Sequence, residues 1–482
     1  MEHWHFIGIG GAGMSVLAHA LRDQGAEVSG SDLQDSAALA ALRARGVTIT
    51  VGHRADNPDL AGATTVVITA AVRPDNPELQ AAQVRGVPVI KRAALLGQLM
   101  AGRTGVAVAG THGKTTTTAM IAFILTEAGR DPAFLVGGVL RDLGTGGRWG
   151  RGAELVAEAD EYDGSFWQLQ PAVAVVTNVE AEHLDYYGDL AGVEAAFRRF
   201  AENLRPGGTL FCCADDPGAA ALGADRAAAW RGGDRTVVGY GRQTTDDRRQ
   251  TANGGLPGGG VAAAWQAEDR GANAQGGSTF RAWYRGEAVA EVALRVPGAH
   301  NVLNGLAALA VSVRLGVAPA VAAAALGRFT GTGRRFEVKG TGGGVLVVDD
   351  YAHHPTEIAA TLAAARRHYP DRRLVVAFQP HTYSRTRDFL PQFATTLAAA
   401  DAVVVSEVYA AREQDTLGVS GADIVTRLNA AHAGRARFAP DLAATAAALR
   451  DLLRPGDLLL TLGAGDIWQT GEQVLAERQH ED

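Results

Sequence analysis

The sequence predicts an α/β protein of three domains: an N-terminal Rossmann-like domain, a central parallel sheet of the P-loop ATPase type and a C-terminal Rossmann-like α/β domain. The chain has 482 residues, which at ~150 residues per domain indicates about three domains. Short β-branched runs alternate with helical stretches along the chain, as in parallel sheets covered by helices. Glycine-rich loops follow strands in the first two regions. We expect the domains at residues 1–103, 104–331 and 332–482.

The composition is that of a globular chain. Apolar residues make up 47% and charged residues 20%, which excludes a disordered chain. The net charge of −7 argues against nucleic-acid binding, and no apolar run approaches the ~18 residues of a membrane span. The N-terminus lacks a signal-peptide pattern, and Cys212 and Cys213 are adjacent, so no loop-closing disulfide is expected. These features predict a cytoplasmic protein that binds no nucleic acid and spans no membrane.

The first glycine loop follows a strand that starts near His5. It has the pattern G-x-G-x-x-G and leads into a helix over about 14–24, and a second strand over 27–30 runs into Asp32. This is the layout of a diphosphate-binding βαβ unit, because glycines let the backbone approach a diphosphate closely. NAD and other nucleotides stay open as ligands, and a tight structural turn is the alternative. The candidate residues are Gly8, Gly10, Gly11, Ala12, Gly13 and Asp32, with Thr69 at the end of a later strand.

A second loop, Gly110-Thr-His-Gly-Lys-Thr-Thr116, also lies between a strand and a helix. Backbone N–H groups at a helix N-terminus bind anions, and the helix dipole favours negative charge there. Lys114 would reach the β- and γ-phosphates, and the Thr115 hydroxyl would bind Mg²⁺. The spacing departs from the common P-loop, since Val108 stands where that loop has its first glycine. The alternative is an ordinary glycine-rich turn. We expect Lys114 to be a charge at the solvent edge.

Acidic and imidazole groups follow two further strands of the central region. The strand over 155–159 runs into Glu158-Ala-Asp-Glu161-Tyr-Asp163, and the strand over 172–177 leads to His183. Each group alone has a structural alternative, because acidic residues are common at solvated helix N-termini. Together, Glu158 and His183 predict a Mg²⁺ site beside the phosphate loop.

The rest of the central region contains an insertion and an alanine-rich helix. Residues 243–279 are glycine-rich and predict a flexible surface insertion without chemistry, followed by strands over 280–296. Asn301 and Asn304 open the helix and share one of its faces. Their amides could hold an adenine ring, although helix capping is favoured by the local pattern alone.

The last region repeats the alternation of strands and helices. Strands over 345–348 and 374–378 each end in a polar segment. The first segment contains Asp350, Tyr351 and His353, and the second contains His381, Arg385 and Arg387. Ligands of parallel sheets bind at the carboxyl ends of the strands, so these segments are candidate substrate contacts.

Four phrases stand in one order along the chain: Gly8-Ile-Gly-Gly-Ala-Gly-Met14, Gly110-Thr-His-Gly-Lys-Thr-Thr116, Gly331-Thr-Gly-Arg-Arg-Phe336 and Asp349-Asp-Tyr-Ala-His-His-Pro355. In these phrases the chain resembles the Mur ligases of peptidoglycan synthesis, and the resemblance covers nearly its whole length. It implies a domain for the UDP substrate, a central ATPase domain and a C-terminal domain that closes over the site. It also implies ATP, Mg²⁺, UDP-N-acetylmuramate and L-alanine as ligands, and amide formation through an acyl phosphate with release of ADP.

The resemblance also implies roles for matched residues. Lys114, Glu158, His183 and Arg335 would be catalytic, with Thr115, Glu158 and His183 as metal ligands. The glycines of the first loop would bind the UDP diphosphate. ATP would be bound by Gly110, Thr111, His112, Gly113, Lys114, Thr115, Thr116, Asn301, Asn304, Arg335 and Asp350. The amino acid and the substrate carboxylate would be bound by Tyr351, His353, His381, Arg385 and Arg387. Tyr162 departs from the family pattern, which has a small residue there; we expect neither it nor the insertion to touch the matched ligands.

Three other functions stay open. Within the family, a recycling ligase would join UDP-N-acetylmuramate to a preformed tripeptide. In other classes, the glycine loop at Gly8 could serve an NAD-dependent UDP-sugar oxidoreductase, or the chain could be a nucleotide-binding regulator without catalysis. A monomer and a homodimer are both compatible with the sequence.

Overall fold

Three β-sheets flanked by helices form the computed structural model, which describes residues 2–243, 260–411, 413–415 and 417–480. Neighbouring strands are mostly parallel in each sheet. The predicted α/β fold class with three sheets is therefore confirmed.

The first sheet is parallel throughout and has the strand order β3-β2-β1-β4-β5. Its core includes Ile7, Val66 and Leu79. The strand order reverses between β1 and β4, and the crevice at such a point is where open α/β sheets bind ligands. The strands are β1 His3–Ile7, β2 Glu27–Asp32, β3 Thr48–Val51, β4 Thr65–Ile68 and β5 Val89–Lys91. The helices are α1 Ala12–Asp23, α2 Ala37–Ala44, α3 Pro77–Val84 and α4 Arg92–Ala101.

The second sheet has the order β15-β14-β13-β12-β11-β10-β6-β9-β7-β8. The phosphate-loop strand β6 lies between β10 and β9 and is parallel to both. The strands are β6 Thr104–Ala109, β7 Ala133–Leu140, β8 Thr145–Arg148, β9 Glu154–Glu158, β10 Val173–Val176, β11 Thr209–Cys213, β12 Thr236–Arg242, β13 Ala263–Ala272, β14 Ser278–Tyr284 and β15 Glu287–Ala293. The helices are α5 Lys114–Glu127, α6 Leu184–Tyr187, α7 Leu190–Glu202, α8 Pro217–Ala229, α9 Ala299–Arg314 and α10 Pro319–Leu326.

The third sheet has the order β16-β17-β21-β18-β19-β20, and only the pair β16–β17 is antiparallel. Apolar side chains cover both of its faces. The strands are β16 Glu337–Gly342, β17 Val345–Asp350, β18 Leu374–Phe378, β19 Ala402–Ser406, β20 Ala436–Ala439 and β21 Leu458–Leu462. The helices are α11 Pro355–His368, α12 Tyr383–Asp388, α13 Leu390–Leu397, α14 Gly421–Ala431, α15 Leu442–Leu452 and α16 Trp468–Gln479.

The described residues form two compact units. The first takes in those of Met1–Gln266 together with Trp283–Val289 and Leu306–Ala325, and the second takes in Ala267–Ala282, Ala290–Gly305 and those of Leu326–Asp482. The domain limits at 103/104 and 331/332 stay a prediction.

The prediction of a surface insertion over 243–279 is wrong for its second half. Strand β13 lies within it, and Trp265 and Ala267 are buried on one face of that strand. This two-residue alternation is typical of a half-buried strand, and the surrounding glycines obscure it in the sequence. Residues 244–259 of the predicted insertion lie outside the described residues.

Two bulk predictions concern cysteines and membrane spans. Cys212 and Cys213 are free thiols, and both side chains are buried at the end of β11. Among the helices that the structure describes, none combines the length and apolarity needed to cross a membrane.

Candidate active site

The loop between β6 and α5 has the backbone form of an anion-binding turn. Gly110 and Gly113 have φ angles of 138° and 80°, which L side chains rarely adopt. A Cβ atom at Gly110 would also overlap the hydroxyl of Thr177. Gly113 is the N-cap of α5 and offers no side chain to the first-turn N–H groups, and Thr116 is buried in that turn. The loop therefore presents a helix N-terminus of the kind that binds phosphate.

The end of β10 holds this loop in place. The Asn178 side chain accepts from the His112 N–H at 2.7 Å and donates to the His112 carbonyl at 3.1 Å, and the Thr177 hydroxyl donates to the same carbonyl at 2.6 Å. The Thr111 hydroxyl accepts from the Glu180 N–H at 2.9 Å. Sequence reasoning missed Asn178, although its place directly after a strand of the sheet is a usable signal.

Lys114 lies folded over the loop and is largely enclosed, with 14% of its side chain exposed, so it is less open to solvent than the sequence predicts. Its ammonium group donates to the carbonyl of Gly110 at 2.6 Å and to a carboxylate oxygen of Glu161 at 3.0 Å. The two side chains are 14% and 3% exposed. Burial lowers the pKa of Lys114, but the carboxylates of Glu161, Asp160 and Glu158 outweigh it and raise that pKa above its ordinary value. Lys114 is therefore charged at neutral pH, and Glu161 is a site residue that sequence reasoning left without a role.

The carboxylate of Glu158 lies at the C-terminal end of β9, beside the loop. It accepts from the Thr115 hydroxyl at 3.0 Å and from the Gly137 N–H at 2.7 Å. A Cβ atom at Gly137 would lie 2.6 Å from the nearer carboxylate oxygen, so only glycine leaves room for this arrangement.

His183 follows β10, which like β9 is a neighbour of the phosphate-loop strand β6. Its φ of 54° is unusual for a residue other than glycine, and its Nε2 atom is 3.8 Å from Glu161. The ring of Tyr162 packs edge-on against it with the centroids 5.1 Å apart, so the expectation that Tyr162 touches no matched ligand is wrong. The hydroxyl of Tyr187 donates to the carbonyl of Glu161.

The side chains around the phosphate loop suit a divalent cation. Carboxylate and hydroxyl oxygens from Glu158 and Thr115 are the donors that Mg²⁺ prefers, and an imidazole can complete a set for a divalent metal. The glycine at 137 keeps the carboxylate oriented. Thr115 and Glu158, which contact each other, therefore suit a divalent cation, and the inclusion of His183 in that site stays a prediction.

The first glycine loop is braced from β2. The N–H groups of Gly8 and Ile9 donate to the carbonyl of Ser31 at 2.8 and 3.0 Å, and the Gly10 N–H donates to the Asp32 carboxylate at 2.8 Å. A Cβ atom at Gly10 would lie 2.9 Å from that carboxylate. Asp32 thus shapes the loop itself.

The loop continues into α1, whose N-cap is Gly11 and whose first residue is Ala12. Gly13 leaves room for the guanidinium group of Arg92, which a Cβ atom there would overlap; sequence reasoning missed Arg92. Thr69 follows β4, and its hydroxyl accepts from the Ala71 N–H at 3.2 Å. The loop and Thr69 therefore follow β1 and β4, the strands that flank the crevice of the first sheet.

In the second unit, Asn301 and Asn304 lie inside α9, so neither is its N-cap. The Asn301 amide donates to the carbonyl of Pro297 at 2.6 Å, and the Asn304 amide donates to the Asn301 side chain at 3.1 Å.

Asp350 and Arg335 lie on neighbouring segments of the second unit. The buried Asp350 carboxylate accepts from the N–H groups of Phe336 and Ala352, each at 2.7 Å. Burial raises the pKa of Asp350 to about 6, against the opposing charge of Arg335. Arg335 lies 3.6 Å from Glu357 and is 28% exposed.

The candidate amino-acid residues form an array of rings. The ring of His353 lies 5.3 Å from that of Tyr351 and 5.6 Å from that of His381. The guanidinium group of Arg385 is 3.0 Å from His381 Nδ1, and Tyr409, which sequence reasoning missed, stacks on His381. Arg387 instead pairs with its neighbour Asp388 and is half exposed, so the array does not include it.

Family models match almost the whole chain. The model for the Mur ligase family, catalytic domain, matches residues 3–104, and the Mur ligase middle domain matches 108–312. The Mur ligase, glutamate ligase domain matches 334–465.

Individual relatives match over nearly their full length. A UDP-N-acetylmuramate–L-alanine ligase of Solidesulfovibrio magneticus is 46% identical over 98% of this chain and 97% of its own. The crystal structure of a UDP-N-acetylmuramate–alanine ligase from Thermotoga maritima covers both chains completely, with 30% identity and a TM-score of 0.77. A murein peptide ligase from Psychrobacter arcticus covers 99% of both chains, with 26% identity and a TM-score of 0.67.

Proposed function

The chain belongs to the Mur ligase family, and on that basis we propose that it joins L-alanine to the carboxylate of UDP-N-acetylmuramate at the expense of ATP. The products are UDP-N-acetylmuramoyl-L-alanine, ADP and phosphate, and the reaction supplies a peptidoglycan precursor. The observation that carries the proposal is the cluster of Lys114, Thr115 and Glu158 around the phosphate loop, in a chain similar to alanine ligases from end to end. The assignment to the Mur ligase family excludes an NAD-dependent oxidoreductase.

In this proposal the phosphate loop binds ATP. The N–H groups at the start of α5 hold phosphate oxygens, and the ammonium group of Lys114 balances charge on the transferring phosphoryl group. Thr115, Glu158 and His183 would hold Mg²⁺, which when bound neutralises phosphate charge. The buried carboxylate of Glu161 keeps Lys114 charged and directed at the loop.

Amide formation needs an activated carboxylate, because a free carboxylate is a poor electrophile. An oxygen of the substrate carboxylate attacks the γ-phosphorus of ATP, giving an acyl phosphate and ADP. The neutral amine of alanine then attacks the acyl carbon, the C–O bond to phosphate breaks, and the amine loses a proton. Both cysteines are buried with raised pKa values, so neither is suited to act as a nucleophile.

The other assignments complete the proposal. The domain over 1–103 would bind the UDP substrate, that over 104–331 ATP, and that over 332–482 the amino acid. Asn301, Asn304, Arg335 and Asp350 would contact the nucleotide, and Tyr351, His353, His381, Arg385 and Arg387 the amino acid and carboxylate. A cytoplasmic location is part of the proposal, because the reaction uses ATP and a UDP-linked precursor.

Two measurements test the function. ADP release should require UDP-N-acetylmuramate and should be highest with alanine among alanine, serine, glycine and the recycling tripeptide; preference for the tripeptide would identify the recycling ligase instead. With ¹⁸O in the substrate carboxylate, one labelled oxygen per turnover should appear in the released phosphate. Labelled AMP or unlabelled phosphate would contradict the acyl-phosphate route.

A further inference from the structure

A carboxylate is completely buried in the first sheet's domain, away from the phosphate loop. Glu78 lies in the first turn of α3, and none of its side chain is exposed. Acidic residues are rarely fully buried unless they are paired, and α3 contributes a favourable helix N-terminus. Nothing in the proposed reaction uses this group, so its burial needs another reason.

Neutral donors surround Glu78. The Asn57 amide donates to one carboxylate oxygen at 2.7 Å, and the Ser31 hydroxyl donates to the other. The backbone N–H of Arg54 donates at 3.4 Å. Burial alone would raise the pKa of Glu78, but the nearby His5 and the bonds from Asn57 and Ser31 outweigh it and lower that pKa to about 2, so the group is an anion at neutral pH.

Two histidines lie next to the carboxylate. His5 Nε2 is 3.7 Å and His53 Nδ1 is 3.5 Å from the same oxygen of Glu78. His53 Nδ1 is also 2.9 Å from the Ser31 hydroxyl. Because that hydroxyl gives its only proton to Glu78, His53 must donate to it, which fixes the proton on Nδ1. The carboxylate therefore orders both the hydroxyl and the imidazole ring.

Ser31 connects this buried group to the glycine loop. Its carbonyl accepts both the Gly8 and the Ile9 N–H groups, while its hydroxyl is bound by Glu78. Asp32, the next residue, accepts the Gly10 N–H. Glu78 therefore fixes the end of β2, and the end of β2 in turn holds the glycine loop.

We propose that Glu78 is a positioning residue for the UDP-substrate site, holding the end of β2, and with it the glycine loop, in the form that receives the diphosphate. This rests on the proposed function, in which that loop binds UDP. Preorganised supports of this kind set the precision of a binding site without touching the ligand. Glu78 therefore acts on UDP affinity and leaves the ATP loop unaffected.

The test compares UDP and ADP binding by isothermal titration calorimetry in the full chain. Glu78→Gln keeps the shape but removes the charge, and Ser31→Ala removes the connecting hydroxyl while keeping the carbonyl. Each should weaken UDP about tenfold, the scale of one lost bond to a charged group, with ADP affinity changed less than about twofold. In turnover, KM for UDP-N-acetylmuramate should rise with kcat nearly constant. Ser31→Ala keeps the test decisive should Glu78→Gln fail to fold.

Glu154→Gln is the matched control, because Glu154 is also buried and ion-paired, with Arg130, but lies at the start of β9. It should leave UDP affinity unchanged. Wild-type UDP affinity in folded Ser31→Ala, or an equal loss of UDP and ADP affinity, would overturn the role of Glu78. Absence of UDP binding by the wild-type chain would instead refute the proposed function, so the two failures are distinguishable.

Discussion

Replacement of Gly137 by alanine tests whether Glu158 is a metal ligand. The added Cβ atom would lie 2.6 Å from a Glu158 carboxylate oxygen, so the carboxylate must move. Its bond from the Gly137 N–H, now 2.7 Å, and its contact with the Thr115 hydroxyl would be lost or lengthened. A hydrogen bond to a charged group contributes about 1.5–3 kcal/mol, and groups that orient metal ligands typically alter metal affinity ~10–100-fold. We expect a shift of that size in the half-saturating Mg²⁺ concentration.

The assay is ADP release over a Mg²⁺ titration, with Mn²⁺ binding by electron paramagnetic resonance as a direct readout. Gly102→Ala is the control, because a Cβ atom there meets its nearest heavy atom, the carbonyl oxygen of Leu99, only at 3.9 Å. Gly137 is not in the left-handed region that strains an alanine. An unchanged Mg²⁺ titration in Gly137→Ala would refute the role of Glu158.

Three further predictions follow from contacts in the first unit. Lys114→Ala should reduce turnover at least ~10²-fold and lower the melting temperature, because it leaves Glu161 buried without its cation; adding Glu161→Gln should restore the melting temperature but not ADP release. Tyr162→Ser removes the edge-on ring contact with His183, worth ~0.5–1.5 kcal/mol, and should raise the half-saturating Mg²⁺ several-fold; an unchanged titration would make the tyrosine incidental. The pKa of Glu78 is lowered from 4.5 to about 2 on folding, which corresponds to about 3 kcal/mol of stability present above pH 4.5 and lost as the pH falls towards 2. The melting-temperature gap between wild type and Glu78→Gln should therefore narrow below pH 4.5, and a gap independent of pH would contradict the lowered pKa.

Local signals in the sequence predict the sheet framework. Apolar runs such as 345–348 and 374–378 appear as strands β17 and β18 because buried parallel strands are continuously apolar. The glycine loops after β1 and β6 are also predictable from the local sequence, because their backbone angles require glycine. Strand β13 was missed because only alternate residues are buried and glycines flank it.

Pairings across the sheet could not be predicted. Lys114 and Glu161 are in contact because β6 lies beside β9. The local periodicity of the sequence does not indicate the order of strands in the sheet. The contact between Tyr162 and His183 joins segments that follow different strands, and local periodicity does not predict the left-handed backbone at His183. The hydrogen bond between the Gly10 N–H and Asp32 depends on the register of β1 against β2, which the sequence does not specify.

The two buried thiols at the end of β11 have a practical consequence for spectroscopy. Cys212 and Cys213 are 0% and 3% exposed, and burial raises the pKa of Cys213 to about 12 and that of Cys212 further. Maleimides and spin labels react with accessible thiolates, so we expect the native chain to be nearly unreactive towards them at neutral pH. Single cysteines placed on exposed positions such as Val84 and Val139 would then carry fluorophores on an otherwise wild-type background.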